Sequence, residues 1–308
     1  MKKIFISTTS FSKQSSEPIE LLEKNQIDYK INKTGRKLTA EETIEALKDC
    51  EAVIAGTEIY SDVVLSSLPN LKLISRMGVG IDNIDLDTID KNNIKLFKTK
   101  TTPAIAVAEL SLGLMINLLR KININNNNLK KTRWKKIMGS LLSRKTLGIV
   151  GLGTIGKELV KISKGFNLNY LAFDNYKDLK FAKEHNVNYT DLNKLLSESD
   201  IISIHLNLNN ETDKIINGEN INLIKSSAIL INTSRGEVID ELALFKALKS
   251  KNIYGAGLDV FSDEPYAGNL CQLENVVLTP HIGSYAKEIR IQMEIESVEN
   301  IIRGFNEI

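Results

Sequence analysis

Short apolar runs alternate with amphipathic stretches along most of the chain. In the first hundred residues Lys3–Ser7, Tyr29–Ile31, Ala52–Ala55 and Leu71–Ser75 read as strands. Pro18–Asn25 and Ala40–Lys48 read as helices between them, the second opened by a capping box of Thr39 and Glu42. Thr102-Pro103 interrupts this series, and a long helix is expected from Ala104 to Leu119. Residues 121–137 are polar and basic, with four asparagines at 125–128 and no clear period. They read as an irregular arm, either a solvated loop or a subunit contact anchored by Trp134. A second alternation supplies strands at Thr146–Val150, Tyr170–Phe173, Asp200–His205, Ala228–Thr233, Tyr254–Val260 and Asn275–Thr279, with helical segments between most of them. Strands alternating with helices imply parallel sheets, so the expectation is α/β with two doubly wound domains. The first series lacks a closing helix. The last helix of the chain, about Ala286–Arg303, is therefore expected to pack back on it.

Length and composition narrow the class. The 308 residues suit about two domains. A hydrophobic content of 42% with 25% charged residues excludes disorder over most of the chain. The net charge of +2 gives no electrostatic case for nucleic acid or an anionic membrane. Cys50 and Cys271 lie far apart and form no metal spacing, and with only His185, His205 and His281 a His-rich metal site is not expected. The apolar run Ile4–Ile6 is too short for a signal-peptide core, and Leu110–Leu119 is too short to span a bilayer. A cytoplasmic location is the simplest expectation.

The chemistry begins at Gly151-Leu152-Gly153-Thr154-Ile155-Gly156. This GxGxxG follows the strand Leu147–Val150 and opens the helical stretch Lys157–Lys164, the context a dinucleotide turn requires. Its glycines let backbone approach a pyrophosphate, and the helix start offers N–H groups and a positive dipole end. Asp174 ends the next strand, 18 residues after Gly156. An acid there accepts from ribose hydroxyls and repels a 2′-phosphate, which favours NAD over NADP, although Lys177 nearby works slightly the other way. The alternative is a structural turn with a surface aspartate.

Ligands of open parallel sheets bind beyond the carboxyl ends of the strands. Arg235 follows Ile229–Thr233, Asp259 and Glu264 follow the strand ending at Leu258, and His281 follows Val276–Thr279. An arginine, a carboxylate and a histidine thus reach one sheet edge. Reduction of a 2-oxo acid needs a cation for the carboxylate and carbonyl, and a proton donor for the developing alkoxide. Arg235 can clamp a carboxylate, and His281 can give or take the proton. Glu264 beside it would favour the imidazolium and orient the ring. Taken singly, each has an ordinary reading as a surface charge, a loop histidine or a turn residue.

With these motifs goes a resemblance. Ser75-Arg76-Met77-Gly78-Val79-Gly80-Ile81-Asp82-Asn83-Ile84-Asp85, the glycine turn, Asn232-Thr233-Ser234-Arg235-Gly236, Leu258–Phe261 with Asp263-Glu264-Pro265, and Thr279-Pro280-His281-Ile282-Gly283 together resemble the D-isomer-specific 2-hydroxyacid dehydrogenase family. The resemblance implies two Rossmann/flavodoxin-like domains with a cleft between them. Residues 1–100 plus 285–308 would form a discontinuous substrate domain, and 101–284 an NAD-binding domain. It implies Arg235, Glu264 and His281 as the catalytic set. The substrate carboxylate would lie on the backbone of Gly78, Val79 and Gly80, with Arg76 facing substrate or a partner chain. Beyond the glycine turn and Asp174, cofactor contacts would include Val107, Ile155, Thr212, Thr233, Asp259 and Gly283. His205 would lie beside the adenine or pyrophosphate or be structural, and His185 is expected to be solvated. A homodimer through residues 104–137 is implied as well.

Within the family, Trp134–Gly139 and the pattern around Ser75–Asp85 resemble phosphoglycerate dehydrogenases. D-3-phosphoglycerate is therefore the first substrate expected, which would place the chain in serine biosynthesis, with glyoxylate or hydroxypyruvate next. One departure is Gly56-Thr57-Glu58, where phosphoglycerate enzymes often carry Arg-Ser. An acid near a dianionic phosphate is unfavourable. The chain ends at Ile308, so control by serine through a further regulatory domain is not expected. An NAD(H)-sensing protein without catalysis is the alternative of another class.

Overall fold

The computed structural model describes residues 2–308. The chain divides into two compact units, Met1–Pro103 with Tyr285–Ile308, and Ala104–Ser284.

Unit 1 holds a five-stranded parallel sheet of β1 (Lys3–Ile6), β2 (Asp28–Ile31), β3 (Ala52–Ala55), β4 (Leu73–Arg76) and β5 (Lys95–Lys98), ordered β2-β1-β3-β4-β5. The central strands β3 and β4 are buried at every position, as expected of a sheet covered on both faces. On one face Val53 and Ile74 pack with Leu47, Tyr60, Val64 and Leu65. On the other, Ile4, Ile54 and Leu73 pack with Leu22 and with Met293, Val298 and Ile301 of the terminal helix Lys287–Glu307. That helix lies close: a Cβ on Gly304 would stand 2.5 Å from Leu73 Cδ2, and Ser75 Oγ donates to the Ser297 carbonyl at 2.9 Å. The Thr39–Glu42 capping box is formed in full. Strand β5 escapes the hydrophobic reading because lysines flank its two apolar residues.

Unit 2 holds seven parallel strands: β6 (Thr146–Val150), β7 (Asn169–Phe173), β8 (Val187–Tyr189), β9 (Ile201–Ile204), β10 (Ile229–Asn232), β11 (Gly255–Leu258) and β12 (Val276–Leu278). Their order is β12-β11-β10-β9-β6-β7-β8. The winding direction reverses between β6 and β9, which pair from Leu147↔Ile201 to Val150↔Ile204. The helix Ala104–Arg120 covers one face, with Leu114, Met115, Leu118 and Leu119 packed on Leu147, Ile149, Ile229 and Ile231. No helix among the described residues is long and apolar enough to cross a membrane.

Two sequence expectations are corrected here. Residues 121–137 are not wholly irregular: Lys121 takes a left-handed turn and a helix follows at Ile122–Lys130. Its asparagines are poor helix formers, which hides it from pattern reading. His185 is not solvated either. Its ring stacks on Phe181 with centroids 4.2 Å apart, and Nδ1 is buried.

Candidate active site

The glycine turn lies at the β6/β9 reversal, where a doubly wound sheet opens its ligand crevice. Gly151 has a φ of +95°, and a Cβ there would stand 2.5 Å from the His205 carbonyl oxygen. A Cβ on Gly156 would stand 2.5 Å from the Gly151 carbonyl. At Gly153, the N-cap of the helix Thr154–Ser163, a Cβ would meet nothing within 4 Å. Two glycines are thus required by the chain itself, while the third faces open space at a helix N-terminus. That fits a pyrophosphate. Asp174, just past β7, accepts from the Leu152 N–H at 2.8 Å and the Tyr176 N–H at 2.8 Å, so it is fixed beside the turn.

Of the two readings of His205, its packing agrees with the structural one. Its Nε2 lies 2.8 Å from Ser203 Oγ, and burial pushes the imidazole down to about 3, so the ring is neutral. The ring is packed within the unit, and it is the main-chain carbonyl that borders the turn. Thr212 is bound into its own loop, with Oγ1 donating to the Asn207 carbonyl at 2.7 Å.

Three strand ends beyond β10, β11 and β12 carry the reactive side chains. Asn232 builds the first turn, accepting from Ser234 N and Oγ and donating to the Arg235 carbonyl at 2.7 Å. Arg235 Nη1 donates to the Ser234 carbonyl at 2.7 Å. Gly236 joins this turn to the next loop: a Cβ there would stand 2.0 Å from the Phe261 carbonyl carbon, a backbone approach only glycine permits. In that loop Glu264 Oε1 accepts from the Phe261 N–H at 3.1 Å, and Oε2 lies 2.9 Å from His281 Nδ1. Glu264 therefore holds His281 by Nδ1, and no hydrogen bond from the described residues reaches its Nε2.

Asp259 organises the third loop. It is 1% exposed, and Oδ1 accepts from Thr279 Oγ1 at 2.6 Å and the Ile282 N–H at 2.8 Å. Its Oδ2 accepts from the Gly283 N–H at 2.8 Å, and its carbonyl accepts from the His281 N–H at 2.8 Å. Burial pushes the Asp259 carboxyl up, against the lowering effect of these bonds. His281 has a φ of +54°, a left-handed conformation that costs a non-glycine residue about 1–2 kcal/mol and persists because this network holds it. Gly283 packs between Asp259 Oδ2 and Val107 Cγ2, at 3.1 and 3.3 Å from its would-be Cβ. Thr233 Oγ1 lies 3.0 Å from Ser111 Oγ. Val107, Thr233, Asp259 and Gly283 are thus on the β10–β12 side of unit 2 with the Arg235, Glu264 and His281 loops. Sequence reasoning did not single out Ser111, and it named Thr279 only within the Thr279–Gly283 motif, without a role. Ser111 could have been found, since it falls one helical turn after Val107.

In unit 1 the turn after β4 carries Gly78, Val79 and Gly80. Gly78 has a φ of +145°. Its N–H donates to Thr99 Oγ1 at 3.1 Å, whereas the N–H groups of Val79 and Gly80 have no acceptor among the described residues. Arg76 is 7% exposed, donates to the Met77 carbonyl, and lies with its guanidinium against Gly78. Glu58 is turned inward rather than into solvent: it is 3% exposed and accepts from Ser7 Oγ at 2.7 Å.

Comparison with known proteins places this geometry in a family. Residues 112–283 match the model of the D-isomer specific 2-hydroxyacid dehydrogenase NAD binding domain. The chain is 38% identical to a hydroxypyruvate reductase of Thermotoga maritima over 92% of its own length and 95% of the relative's. It is also 38% identical to a D-3-phosphoglycerate dehydrogenase of Methanocaldococcus jannaschii, over 87% of this chain but only about half, 52%, of that protein. A D-lactate dehydrogenase of Aquifex aeolicus, solved with NAD and lactic acid, superposes with a TM-score of 0.84 at 31% identity, covering 99% of this chain and 96% of that one. The chain belongs to the D-isomer-specific 2-hydroxyacid dehydrogenases, NAD-binding oxidoreductases that act on a CH–OH group.

Proposed function

We propose that this chain moves a hydride between NAD and C2 of a small D-2-hydroxy acid or 2-oxo acid, with Arg235, Glu264 and His281 as its catalytic set. The observation that carries the reading is the 2.9 Å contact of Glu264 Oε2 with His281 Nδ1, made beside the loop of Arg235. NAD, when bound, supplies or takes up the hydride. The residues to hold it are Gly151, Gly153, Thr154, Ile155, Gly156 and Asp174, with Val107, Thr233, Asp259 and Gly283 toward the catalytic loops.

The chain's own part follows from the geometry. His281 Nε2 holds a proton for the substrate oxygen during reduction and takes it back during oxidation. Glu264 fixes the ring through Nδ1 and stabilises it when charged. Arg235 supplies positive charge to the carboxylate and the C2 oxygen. The unsatisfied N–H groups of Val79 and Gly80 form an anion nest for the carboxylate, with Gly78 providing the turn.

Two substrate readings stand. D-3-phosphoglycerate is the one the sequence puts first, and glyoxylate or hydroxypyruvate is the other. The choice turns on the groups at the carboxyl edge of the unit 1 sheet. We also read the chain as a homodimer, because the segment after the Ala104–Arg120 helix exposes Ile122, Leu129, Trp134 (82%) and Met138 (90%).

The test is NADH oxidation, and its NADPH counterpart, with 3-phosphohydroxypyruvate, hydroxypyruvate, glyoxylate, pyruvate and 2-oxoglutarate. Turnover that His281→Ala abolishes while NADH still binds supports the enzyme. Tight NADH binding with no turnover on any oxo acid supports a sensing protein instead.

A further inference from the structure

Asp259 is a carboxylate that is 1% exposed, and no lysine or arginine pairs with it among the described residues. A charge buried in this way is unfavourable unless hydrogen-bond donors surround it. Three donors do so. The Ile282 N–H gives to Oδ1 and the Gly283 N–H to Oδ2, each at 2.8 Å, and the Thr279 hydroxyl gives to Oδ1 at 2.6 Å. Two of the three are successive main-chain N–H groups, one on each oxygen.

Successive N–H groups that converge on one anion form a nest, often with one residue in the left-handed region. His281 is that residue, with a φ of +54°. Its own N–H gives to the Asp259 carbonyl at 2.8 Å, so three N–H groups in a row, from His281 to Gly283, end on Asp259. The left-handed turn of His281 and the charge of Asp259 therefore belong together. A protonated carboxyl accepts more weakly, since charge-assisted hydrogen bonds are roughly twice as strong as neutral ones. With the charge gone, the conformational cost at His281 is no longer offset, and the ring is free to leave the place where Glu264 holds it.

Thr279 is the only side chain among the three donors. It directly follows β12, and its backbone is tied on both sides. Its N–H gives to the Leu258 carbonyl at 3.0 Å, and its carbonyl accepts from the His281 N–H at 3.0 Å. That fixes the hydroxyl toward Asp259.

We propose that the His281–Gly283 turn is an anion nest filled by the Asp259 carboxylate, and that Thr279 is the positioning residue that keeps the carboxylate there and His281 in place for proton transfer. This rests on the hydride-transfer function proposed for the chain. Burial pushes the Asp259 carboxyl up, and the Thr279 hydroxyl is the first of the groups that bring it down. The elements around it add little charge. β10 gives the neutral Asn232, whose carbonyl accepts the Asp259 N–H at 2.9 Å, and the helix Ala104–Arg120 gives the apolar Val107 beside Gly283. His281 is the ionisable neighbour that acts on the carboxylate. The nest therefore loses its anion as pH falls, and loses it at a higher pH without Thr279.

The direction of reduction separates this effect from the titration of His281. Reduction uses the protonated imidazole, which acid favours, so an acid-side fall in rate belongs to a carboxylate. Glu264 is the other carboxylate at His281, but the Thr279 hydroxyl bonds Asp259.

The experiment takes two readouts from the wild type, Thr279→Val and Thr279→Ser. One is the pH profile of kcat/KM for hydroxypyruvate reduction by NADH. The other is the Gly283 amide signal of the free protein, carrying isotope-labelled glycine, followed by NMR over the same range. Valine keeps the shape and removes the hydroxyl, and serine keeps the hydroxyl. Loss of one bond to a charged acceptor should move the acid limb up by about one pH unit in Thr279→Val, which is a rate about tenfold lower below the limb. Above the limb the rate should stay within about threefold of the wild type. The Gly283 amide should shift with the same midpoint as the limb, and Thr279→Ser should return both toward the wild type. A limb and a Gly283 midpoint that stay put in Thr279→Val would overturn the proposal. So would a rate lowered equally at every pH, the mark of a purely structural role. If Thr279→Val does not fold, the wild type decides, and a Gly283 amide that does not move from about pH 8 to about pH 4 overturns the proposal. A wild type that reduces no 2-oxo acid, while its Gly283 midpoint rises in Thr279→Val, would overturn the reaction and support the nest.

Discussion

Gly153→Ala and Gly156→Ala make a paired test of the dinucleotide turn, because the structure assigns the two glycines opposite reasons for being there. A methyl on Gly156 would lie 2.5 Å from the Gly151 carbonyl oxygen and 3.0 Å from Ile149 Cγ2. Neither neighbour is the loose end of a flexible chain, so the backbone must shift, and overpacking of this kind costs about 1–3 kcal/mol. For a unit of this size that lowers Tm by roughly 2–4 °C per kcal/mol, or about 6 °C in the middle of the range. A methyl on Gly153 meets no atom within 4 Å, and its φ of −76° suits alanine. Only the N-cap preference for glycine over alanine, about 0.5–1 kcal/mol, is lost, so Tm should fall by no more than about 4 °C. The same methyl would stand where a pyrophosphate approaches. Loss of a charge-assisted hydrogen bond, about 1.5–3 kcal/mol, should weaken NADH binding by about 10- to 100-fold. Thermal unfolding and NADH fluorescence titration read the two quantities separately. Gly153→Ala binding NADH as well as the wild type, with its fold intact, would refute the placement of the cofactor on this turn.

Further expectations concern other parts of the molecule. His281→Ala should lower kcat by about 10²- to 10⁴-fold with NADH affinity unchanged, and a loss of affinity in parallel would point to misfolding of the loop instead. In unit 1, Arg290 donates to Glu294 at 3.1 Å and to Ser10 at 2.8 Å, and Glu294 is 1% exposed. Arg290→Leu strands that carboxylate and should cost about 3–5 kcal/mol in urea unfolding, and a cost under about 1 kcal/mol would contradict the pairing. Glu42 is held down to about 2, first by the Arg36 guanidinium and then by the Thr39 N–H. Its contribution to stability is present above its ordinary value of 4.5 and lost as pH falls toward 2. The wild type and Glu42→Gln should therefore converge in stability on acidification, and a difference independent of pH would be the contrary result. Light scattering should give a dimer for the wild type and a smaller species for Trp134→Glu, whereas a monomeric wild type would remove the dimer proposal.

The legible parts of this chain are those where one local rule acts alone. β3 and β6 were readable to the residue because four consecutive buried positions are apolar or small and turn signals bound them. β8 has three residues, too few for a period to show, and the Ile122–Lys130 helix is built from residues of low helix propensity. The order of Arg235, Glu264 and His281 at one sheet edge could be read from strand ends, because a parallel sheet puts every carboxyl end on the same side. How they are held could not. The Gly236 approach to Phe261 and the ties of Asp259 to Thr279, Ile282 and Gly283 are long-range contacts with no sequence spacing to announce them. Glu58 shows the same limit. Sequence places an acid at the carboxyl edge of the unit 1 sheet, but only the packing shows it turned inward and bound by Ser7.

The central claim is that this chain reduces a small 2-oxo acid with NADH through His281 held by Glu264. Steady-state NADH oxidation with hydroxypyruvate, in the wild type and in His281→Ala, tests it most directly. The account predicts turnover by the wild type, at least about 100-fold less in the variant, and equal NADH affinity in both. Equal rates in the two proteins would contradict it, as would a wild type that binds NADH and turns over none of the 2-oxo acids named.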